Sequence, residues 1–437
     1  MTKTMTKGKL YVTLFFLAFA QSAIYTVPYI RTYYGIALQN VLGVGDSQLG
    51  MLLGFYTIVS MIGYIPGGIL VDKWDYKKCI LIACFGTGLL AASYGVWLNY
   101  TWATVVYIIM GFTGNAIYWS ATIKAVRLLG NADNQGKMYG VYYGFQGGLA
   151  ILFTIILQIG FTAIARPDSG TPNYLAGMQF IFWTNAACLI VAGIVLAKML
   201  QPQKEIVEQM KAAGSEASSF NAKMVGKVLK QPLIWLIIIM VFCSYGIYSN
   251  SFYYSYYLAY VKGISQFWAT QTSMIRVSYM MCIGSFIGGF AATKLKSTTK
   301  WYIIAAGASL LSLVTFLVMR QSGAGMVPMA IMSIFPSAFI LLIYTITNSL
   351  YQEYNIPVSM MGTAVGIVSI VAFTPDLFWQ TMLGSWLDKT AIQVEGIGTV
   401  YTDPGFTQVF TFFAIVTAVG VCAAIAALVI MKKKAKQ

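Results

Sequence analysis

Histidine is missing from this chain altogether. That one absence removes imidazole proton relays, histidine metal sites and Ser-His or Cys-His catalysis, so any proton the protein handles rides on Asp, Glu, Tyr or Lys. Charge of every kind is scarce: 9% of the 437 residues carry it, against roughly one quarter in a soluble domain. Acidic residues are the scarcest, 13 against 28 Lys and Arg, for a formal charge of +15. Most of that excess sits in connections between apolar stretches, which the positive-inside rule explains better than a nucleic-acid partner. Cysteine is sparse as well. Cys79, Cys84, Cys188, Cys243, Cys282 and Cys422 lie in or beside apolar stretches with no close CxxC pair, which argues for small packing residues over a disulfide framework. No nucleotide-binding motif, metal-ligand cluster or nucleophile-base pair is present, so neither an enzyme, an ATP-driven pump nor a cofactor is expected.

What the chain has in abundance is apolar sequence, 58% of it. The runs are long and continuous, without the ten-residue alternation of an outer-membrane barrel, and helices satisfy their backbone hydrogen bonds internally. The fold class expected is an all-α membrane protein with twelve transmembrane helices in two pseudo-symmetric six-helix bundles. The spans fall at about 9–41, 46–71, 76–97, 101–128, 136–165, 177–199, 231–261, 265–293, 299–319, 325–351, 357–387 and 405–431. Both termini then share one side. Lys3, Lys7, Lys9, Lys73 to Lys78, Lys124 to Lys137, Lys294 to Lys300 and Lys432 to Lys436 share it too, which makes it the cytoplasm. Met1 to Lys9 resembles the start of a signal peptide, but no small-residue cleavage site precedes a mature domain, so a retained first helix is expected.

One connection is long and polar. It divides the chain into an N-terminal bundle (1–200), a tether (201–230) with a Gly-Ser-rich centre, and a C-terminal bundle (231–437). Short repeats agree with that division. Ile24-Tyr25-Thr26 and Thr32-Tyr33-Tyr34 match Ile247-Tyr248-Ser249 and Ser255-Tyr256-Tyr257 at an offset of 223 residues. Met138, Gly140 and Gly144 recur as Met360, Gly362 and Gly366 at an offset of 222. Parallel repeats of this kind place a substrate site between the halves near the midplane. Glycines in the fifth span (Gly140, Gly144, Gly147, Gly148) and the eighth (Gly284, Gly288, Gly289) are spaced for close helix approach.

The turn from Gly68 to Lys78, with Asp72-Lys73 four residues after the glycine and Lys77-Lys78 following, resembles the loop between helices 2 and 3 of the major facilitator superfamily. The resemblance implies a cytoplasmic gate in which Gly68, Asp72, Lys73, Lys77 and Lys78 take part, with Lys124 and Arg127 near the end of the fourth span. The family usually has Gly where this chain has Asp75. The stretch from Trp119 to Arg127, the stretch Asn134 to Gly140 and Thr374-Pro375-Asp376 look like YihN-type bacterial permeases. Arg31 in the first span resembles the anion-binding arginine of the organophosphate:anion branch, although the repeat offset puts Tyr254 where that branch has its second arginine. The helix 4 arginine of proton-driven drug exporters is absent, Met110 standing in its place.

An ionisable group inside a span costs roughly 2.5–3.5 kcal/mol on insertion scales, so each is a functional candidate. Arg31 follows Pro28 in an overlong first span, and reads either as an anion-binding guanidinium or as an interface arginine snorkelling outward. Arg276 lies some 16 Å into the eighth span, as an anion ligand or the partner of a carboxylate such as Asp376. Asp376 follows Pro375 inside the eleventh span, as a coupling-proton site, a counter-ion or a cap on the kink. Lys124 and Arg127 share a helix face, where positive-inside anchoring is the plainer account. Asn250, Tyr253, Tyr254 and Tyr257 follow i, i+3, i+4, i+7 spacing, either to hold a hydroxylated substrate together with Tyr25 or as an aromatic belt. The function expected is secondary active transport of a small organic anion (carboxylate, sulfonate, sugar acid or phosphate ester) by alternating access. A coupling proton or sodium, surrounding lipid and a monomeric state in the bacterial plasma membrane complete that expectation. Export of neutral sugars or lipophilic drugs is the alternative, and a non-transporting membrane sensor a remote one.

Overall fold

The structure is a computed structural model that describes residues 6–129, 135–202, 222–356, 358–394 and 398–434. Nine of its described helices are each long and apolar enough to cross a bilayer, and a bent pair over Gln266–Gly284 and Phe286–Lys294 makes a tenth. The chain divides into two compact units, the first holding Met1–Val44 and Met51–Ala217, the second Gly45–Gly50 and Ser218–Gln437.

Within the first unit, side-chain oxygens start the helices by accepting from the otherwise unpaired N–H groups of the first turn. Asp75 accepts from Lys77 N at 2.8 Å to open Tyr76–Val96. Asn99 does the same for Trp102 N at 2.9 Å, opening Tyr100–Met110, and Asn173 for Ala176 N at 3.0 Å, opening Tyr174–Met199. The first span is two helices, Lys7–Thr26 and Arg31–Leu42, broken at residues 27–30. Pro28 has no N–H to give and cannot continue the ladder, and the Tyr107 hydroxyl donates to the Val27 carbonyl at 3.0 Å inside the break.

Close helix approach among the described residues of this unit falls on glycines other than Gly144, Gly147 and Gly148, and the surroundings of Gly140 lie outside the described residues. A Cβ on Gly67 of the second span (Asp46–Lys73) would stand 2.2 Å from the Ala116 carbonyl oxygen. Gly144, Gly147 and Gly148 of the fifth span (Gln135–Ala165) have nothing within 4 Å of that position. Spacing marks a face of a helix but does not say which neighbour that face meets. Against the second span, the fourth span winds as a π-helix from Gly111 to Trp119 before returning to α-helix over Ser120–Leu129.

The second unit contains a short helix at Ala222–Leu229 and six spans, four of them interrupted. The seventh is Pro232–Ser249 and Tyr253–Tyr260, and the eighth is Gln266–Met274, a π-helical turn Ile275–Tyr279 and Met280–Lys294. The ninth, Thr298–Gln321, is continuous; the tenth is Met326–Met332, Phe335–Tyr344 and Ser349–Glu353. The eleventh breaks between Val358–Ala372 and Pro375–Lys389, and the last is Asp403–Lys434. Pro336 and Pro375 each stand in the first turn after a break, the position that tolerates a missing N–H. Two of the eighth-span glycines make close approaches, a Cβ on Gly288 meeting the Leu342 carbonyl oxygen at 2.1 Å and one on Gly284 the Leu341 carbonyl oxygen at 3.0 Å, whereas Gly289 has nothing within 4 Å of that position. A two-stranded hairpin, Ile392–Val394 with Gly398–Val400, joins the last two spans.

Carboxylates pin the ends of this unit. Asp388 accepts from the backbone N of Asp46 at 2.8 Å and of Ser47 at 3.0 Å, and from the Tyr401 hydroxyl at 3.2 Å. Burial, then the Asp46 and Asp388 carboxylates, push the Tyr401 phenol far above its ordinary value, so it stays a donor. Arg320 pairs with Asp403 at 3.1 Å, its guanidinium lying 5.6 Å from the Tyr257 ring centroid.

Candidate functional site

In the first unit the polar chemistry gathers around the break in the first span. Arg31 opens the second helical piece and is 5% exposed. About 16 Å of helix separates it from Leu42, the outer end of that piece. Tyr25, Tyr29, Thr32 and Tyr33 beside it are half-buried. The Tyr25 hydroxyl donates to Asn115 Oδ1 at 2.6 Å, and Asn115 Nδ2 donates to Ser60 Oγ at 3.0 Å. Ser60 Oγ in turn donates to the Tyr56 carbonyl at 2.8 Å, with the Gly111 carbonyl at 3.2 Å. Rings continue the wall, Tyr25 to Tyr29 at 6.2 Å and Tyr29 to Tyr56 at 6.1 Å between centroids. Asn115 and Ser60 are additions to the predicted set. The only sequence signal for Asn115 is an amide lying between Gly114 and Ala116 in an otherwise apolar span; its place beside Tyr25 depends on the π-helical winding, which no hydrophobic period encodes.

The loop after the second span holds the expected gate residues. The side chains of Gly68, Asp72, Lys73 and Arg127 lie outside the described residues. Lys77 Nζ donates to the Leu200 carbonyl at 2.7 Å, at the end of the sixth span, and the neighbouring Tyr76 hydroxyl reaches the Gln201 carbonyl at 2.7 Å. Lys124 Nζ reaches the Val71 carbonyl at 3.0 Å, and Lys78 is exposed. Both ammonium groups sit at helix C-termini, where the dipole favours positive charge. Asp75, the departure from the family pattern, serves as the helix cap described above.

In the second unit Arg276 is fully buried within the π-helical turn. Its Nε donates to the Ser333 carbonyl at 3.2 Å, one terminal nitrogen to the Ser251 carbonyl at 2.9 Å and Ser255 Oγ at 3.2 Å, the other to Thr272 Oγ1 and Ser333 Oγ, each at 3.3 Å. All five donors of the fork are therefore used on neutral protein groups. The guanidinium also rests 5.3 Å from the Tyr254 ring centroid. Ser251 and Ser333 occupy the breaks of the seventh and tenth spans, so this one side chain ties two interruptions together. Arg276 and Asp376 do not pair. The Asp376 carboxylate, 2% exposed, accepts from the Tyr245 hydroxyl. Around that pair stand Phe373, 4.6 Å from Tyr245 between centroids, Tyr344 at 5.7 Å and Tyr248 at 5.9 Å. The carbonyl freed by Pro375 is that of Val371, and it accepts from Thr374 Oγ1 at 2.7 Å.

The break in the seventh span interrupts the spacing that groups Asn250, Tyr253, Tyr254 and Tyr257, leaving Asn250 outside both helical pieces, and all four are fully buried in the second unit. Tyr254 stacks on Phe410 at 4.7 Å, Tyr257 meets Phe316 edge-on at 5.6 Å, and Asn250 Nδ2 bonds the Gly246 carbonyl at 2.9 Å. Tyr253 donates to Asp46 Oδ2 at 3.0 Å. The half-buried hydroxyls of this span are instead Tyr248, Ser249 and Tyr260. Periodicity locates a shared face; whether it meets aromatic neighbours or a ligand is decided by residues more than fifty positions away.

The profile described as Major Facilitator Superfamily matches residues 10–375. The chain belongs to that superfamily. Two relatives from Escherichia coli (strain K12) align over most of their length. Inner membrane protein YqcE is 26% identical, covering 86% of this chain and 87% of the relative, and inner membrane protein YihN is 23% identical, covering 85% and 86%. The crystal structure of the nucleoside transporter NupG superposes with a TM-score of 0.71 at 13% identity, over 96% of this chain and 99% of that one; at that identity the likeness speaks to the fold. Membership makes the protein a multi-pass membrane transporter and not an enzyme, and it accounts for the many broken helices. In a superfamily member, interrupted spans are tolerated where freed backbone groups find side-chain donors, as at Val27, Ser251 and Ser333.

Proposed function

We propose that this superfamily member is a secondary active transporter of a small organic anion, working by alternating access in the bacterial plasma membrane with both termini in the cytoplasm. One observation carries the proposal: Arg31, an arginine 5% exposed, opens the helix after the break in the first span, in the same stretch of chain as the half-buried Tyr25, Tyr29 and Tyr33. A guanidinium suits carboxylate, sulfonate or phosphate oxygens because its planar fork donates two parallel hydrogen bonds. Asp376 is the coupling candidate, a buried carboxylate held by the Tyr245 phenol directly after a helix break, where a change of protonation alters a local hydrogen bond. Lys77 and Lys124, on the carbonyl ends of the sixth and second spans, support a role for the Gly68 to Lys78 turn at the cytoplasmic gate.

A second reading, transport of a neutral sugar or nucleoside, is favoured by Arg276. Its donors are already taken by neutral protein groups, so it brings no unused hydrogen-bonding capacity to an anion. Proteoliposome uptake of labelled gluconate, lactate, glucose 6-phosphate, xylose and uridine, with and without an imposed pH gradient, separates the two. Accumulation of an acid that disappears in Arg31→Gln supports the anion; uptake of xylose or uridine alone sinks it.

A further inference from the structure

Asn115 sits at the centre of the first unit's polar cluster, and its orientation is fixed by its neighbours. The Ser60 hydroxyl proton is committed to the Tyr56 carbonyl at 2.8 Å, so Ser60 Oγ accepts from Asn115 and places the amide nitrogen on that side. Its amide oxygen then faces the Tyr25 hydroxyl, which donates to it at 2.6 Å. Two neighbours thus consume the oxygen and one N–H. The second amide N–H makes no hydrogen bond among the described residues, although Asn115 is only 7% exposed. A buried donor left unused is unfavourable and calls for an acceptor oxygen. Asn115 is carried by a π-helical segment, a winding that recurs where a side chain is re-aimed for function. It lies hydrogen-bonded to Tyr25, whose half-buried phenol lies 6.2 Å from Tyr29 between ring centroids.

We infer that Asn115 is a specificity-determining residue that donates its second amide N–H to a hydroxyl oxygen of the substrate. The cargo is then a hydroxylated compound, a sugar acid rather than a simple fatty or aromatic acid. The inference rests on the transport reading above and narrows its substrate class. Sites built to hydrogen-bond a hydroxyl discriminate strongly against the analogue that lacks it, because the polar group is left stranded.

The test is binding to the purified full-length protein, followed by tryptophan fluorescence and thermal stabilisation, with two pairs of probes. D-gluconate and hexanoate form the acidic pair, D-ribose and 2-deoxy-D-ribose the neutral one. Asn115→Asp keeps the size of the side chain and an acceptor for Tyr25 but removes the N–H; because its carboxylate repels any acid, it is read on the neutral pair, and Asn115→Leu, similar in size and uncharged, is read on the acidic pair. The expected result is that wild type prefers the hydroxylated member and that each variant weakens that member of its pair roughly tenfold, the loss of one hydrogen bond, while leaving the other within twofold. Tyr25→Phe, which frees the amide to rotate, narrows the preference in the same direction. Equal weakening of both members, or no change in either, assigns the N–H to a bound water or to packing and overturns the inference. Binding of none of the four probes overturns it as well. Preference for ribose without binding of gluconate refutes the anion reading and leaves Asn115 standing; binding of hexanoate as tightly as gluconate does the reverse.

Discussion

Replacing Arg276 by Lys isolates what the guanidinium fork does, because the charge stays and only the geometry changes. Arginine uses five donors here, and a lysine ammonium has three on one atom. The Ser255, Thr272 and Ser333 hydroxyls keep other bonds, to the Ala269 carbonyl at 2.9 and 2.8 Å and the Ala330 carbonyl at 2.7 Å. The Ser251 carbonyl keeps a turn bond from Tyr254 N at 3.2 Å. Beyond Arg276, the Ser333 carbonyl has no hydrogen-bond donor among the described residues, because Pro336 interrupts the turn that follows it. At least two of the five bonds to the charged group are lost in the variant. At about 1.5–3 kcal/mol each, that is a destabilisation of about 3–6 kcal/mol. Denaturant unfolding in detergent micelles, read by tryptophan fluorescence, measures it against wild type. A loss below about 1 kcal/mol would refute the view that the fork holds the breaks of the seventh and tenth spans. Full stability combined with lost anion binding would instead make Arg276 a substrate ligand.

Three other outcomes follow from the same geometry. Arg31→Gln retains folding but lowers anion affinity by at least roughly tenfold, the value of one charge-assisted hydrogen bond, in the fluorescence titration; unchanged affinity removes Arg31 from the site. Asp376→Asn abolishes accumulation driven by a pH gradient while counterflow exchange in proteoliposomes continues, and persistence of driven uptake would move coupling elsewhere. Gly67→Ala places a methyl against the Ala116 carbonyl and destabilises the first unit, whereas Gly144→Ala enters open space and gains about 0.5–1 kcal/mol of helix propensity; parallel thermal unfolding of the two variants distinguishes a real backbone contact from a chance glycine.

The architecture was legible because its signal is coarse and repeated. Long apolar runs, lysines on one set of connections and the Gly68 to Lys78 turn each point to the same superfamily. Proline marks three of the breaks, at Pro28, Pro336 and Pro375, and only the first and last of these were expected. Those at Asn250 to Phe252 and the π-helical turns at Gly111 and Ile275 leave no such mark, since they follow from tertiary contacts. The site was harder still. Arg276 announces itself as a buried charge, but its partners are serines and threonines that read as ordinary small packing residues in an apolar span. Of the seventh-span tyrosines, Tyr254 and Tyr257 meet Phe316 and Phe410, a contact set by the ninth and twelfth spans, while Tyr253 bonds Asp46 instead. The partner of the turn from Gly289 to Lys300 is set at long range as well. The turn itself contains no acid, yet Glu353 accepts from Ser297 Oγ at 2.5 Å and Thr299 N at 2.9 Å.

That borrowed carboxylate bears on how the chain is made. The first unit caps the third span with Asp75, a neighbour two residues from the N–H it serves, so that corner can close as soon as it leaves the ribosome. The ninth span also has a local cap, Ser297 Oγ accepting from Lys300 N at 3.1 Å, but its Thr299 N bonds an acid 54 residues downstream. At about 5–20 residues per second of synthesis, the Thr299 N–H is without this partner for about 3–11 s, while the tenth span is still being made. Biogenesis of this transporter therefore has an interval in its second half when a nascent turn depends on lipid headgroups, water or the insertion machinery for partners, and none of comparable length at the Asp75 corner.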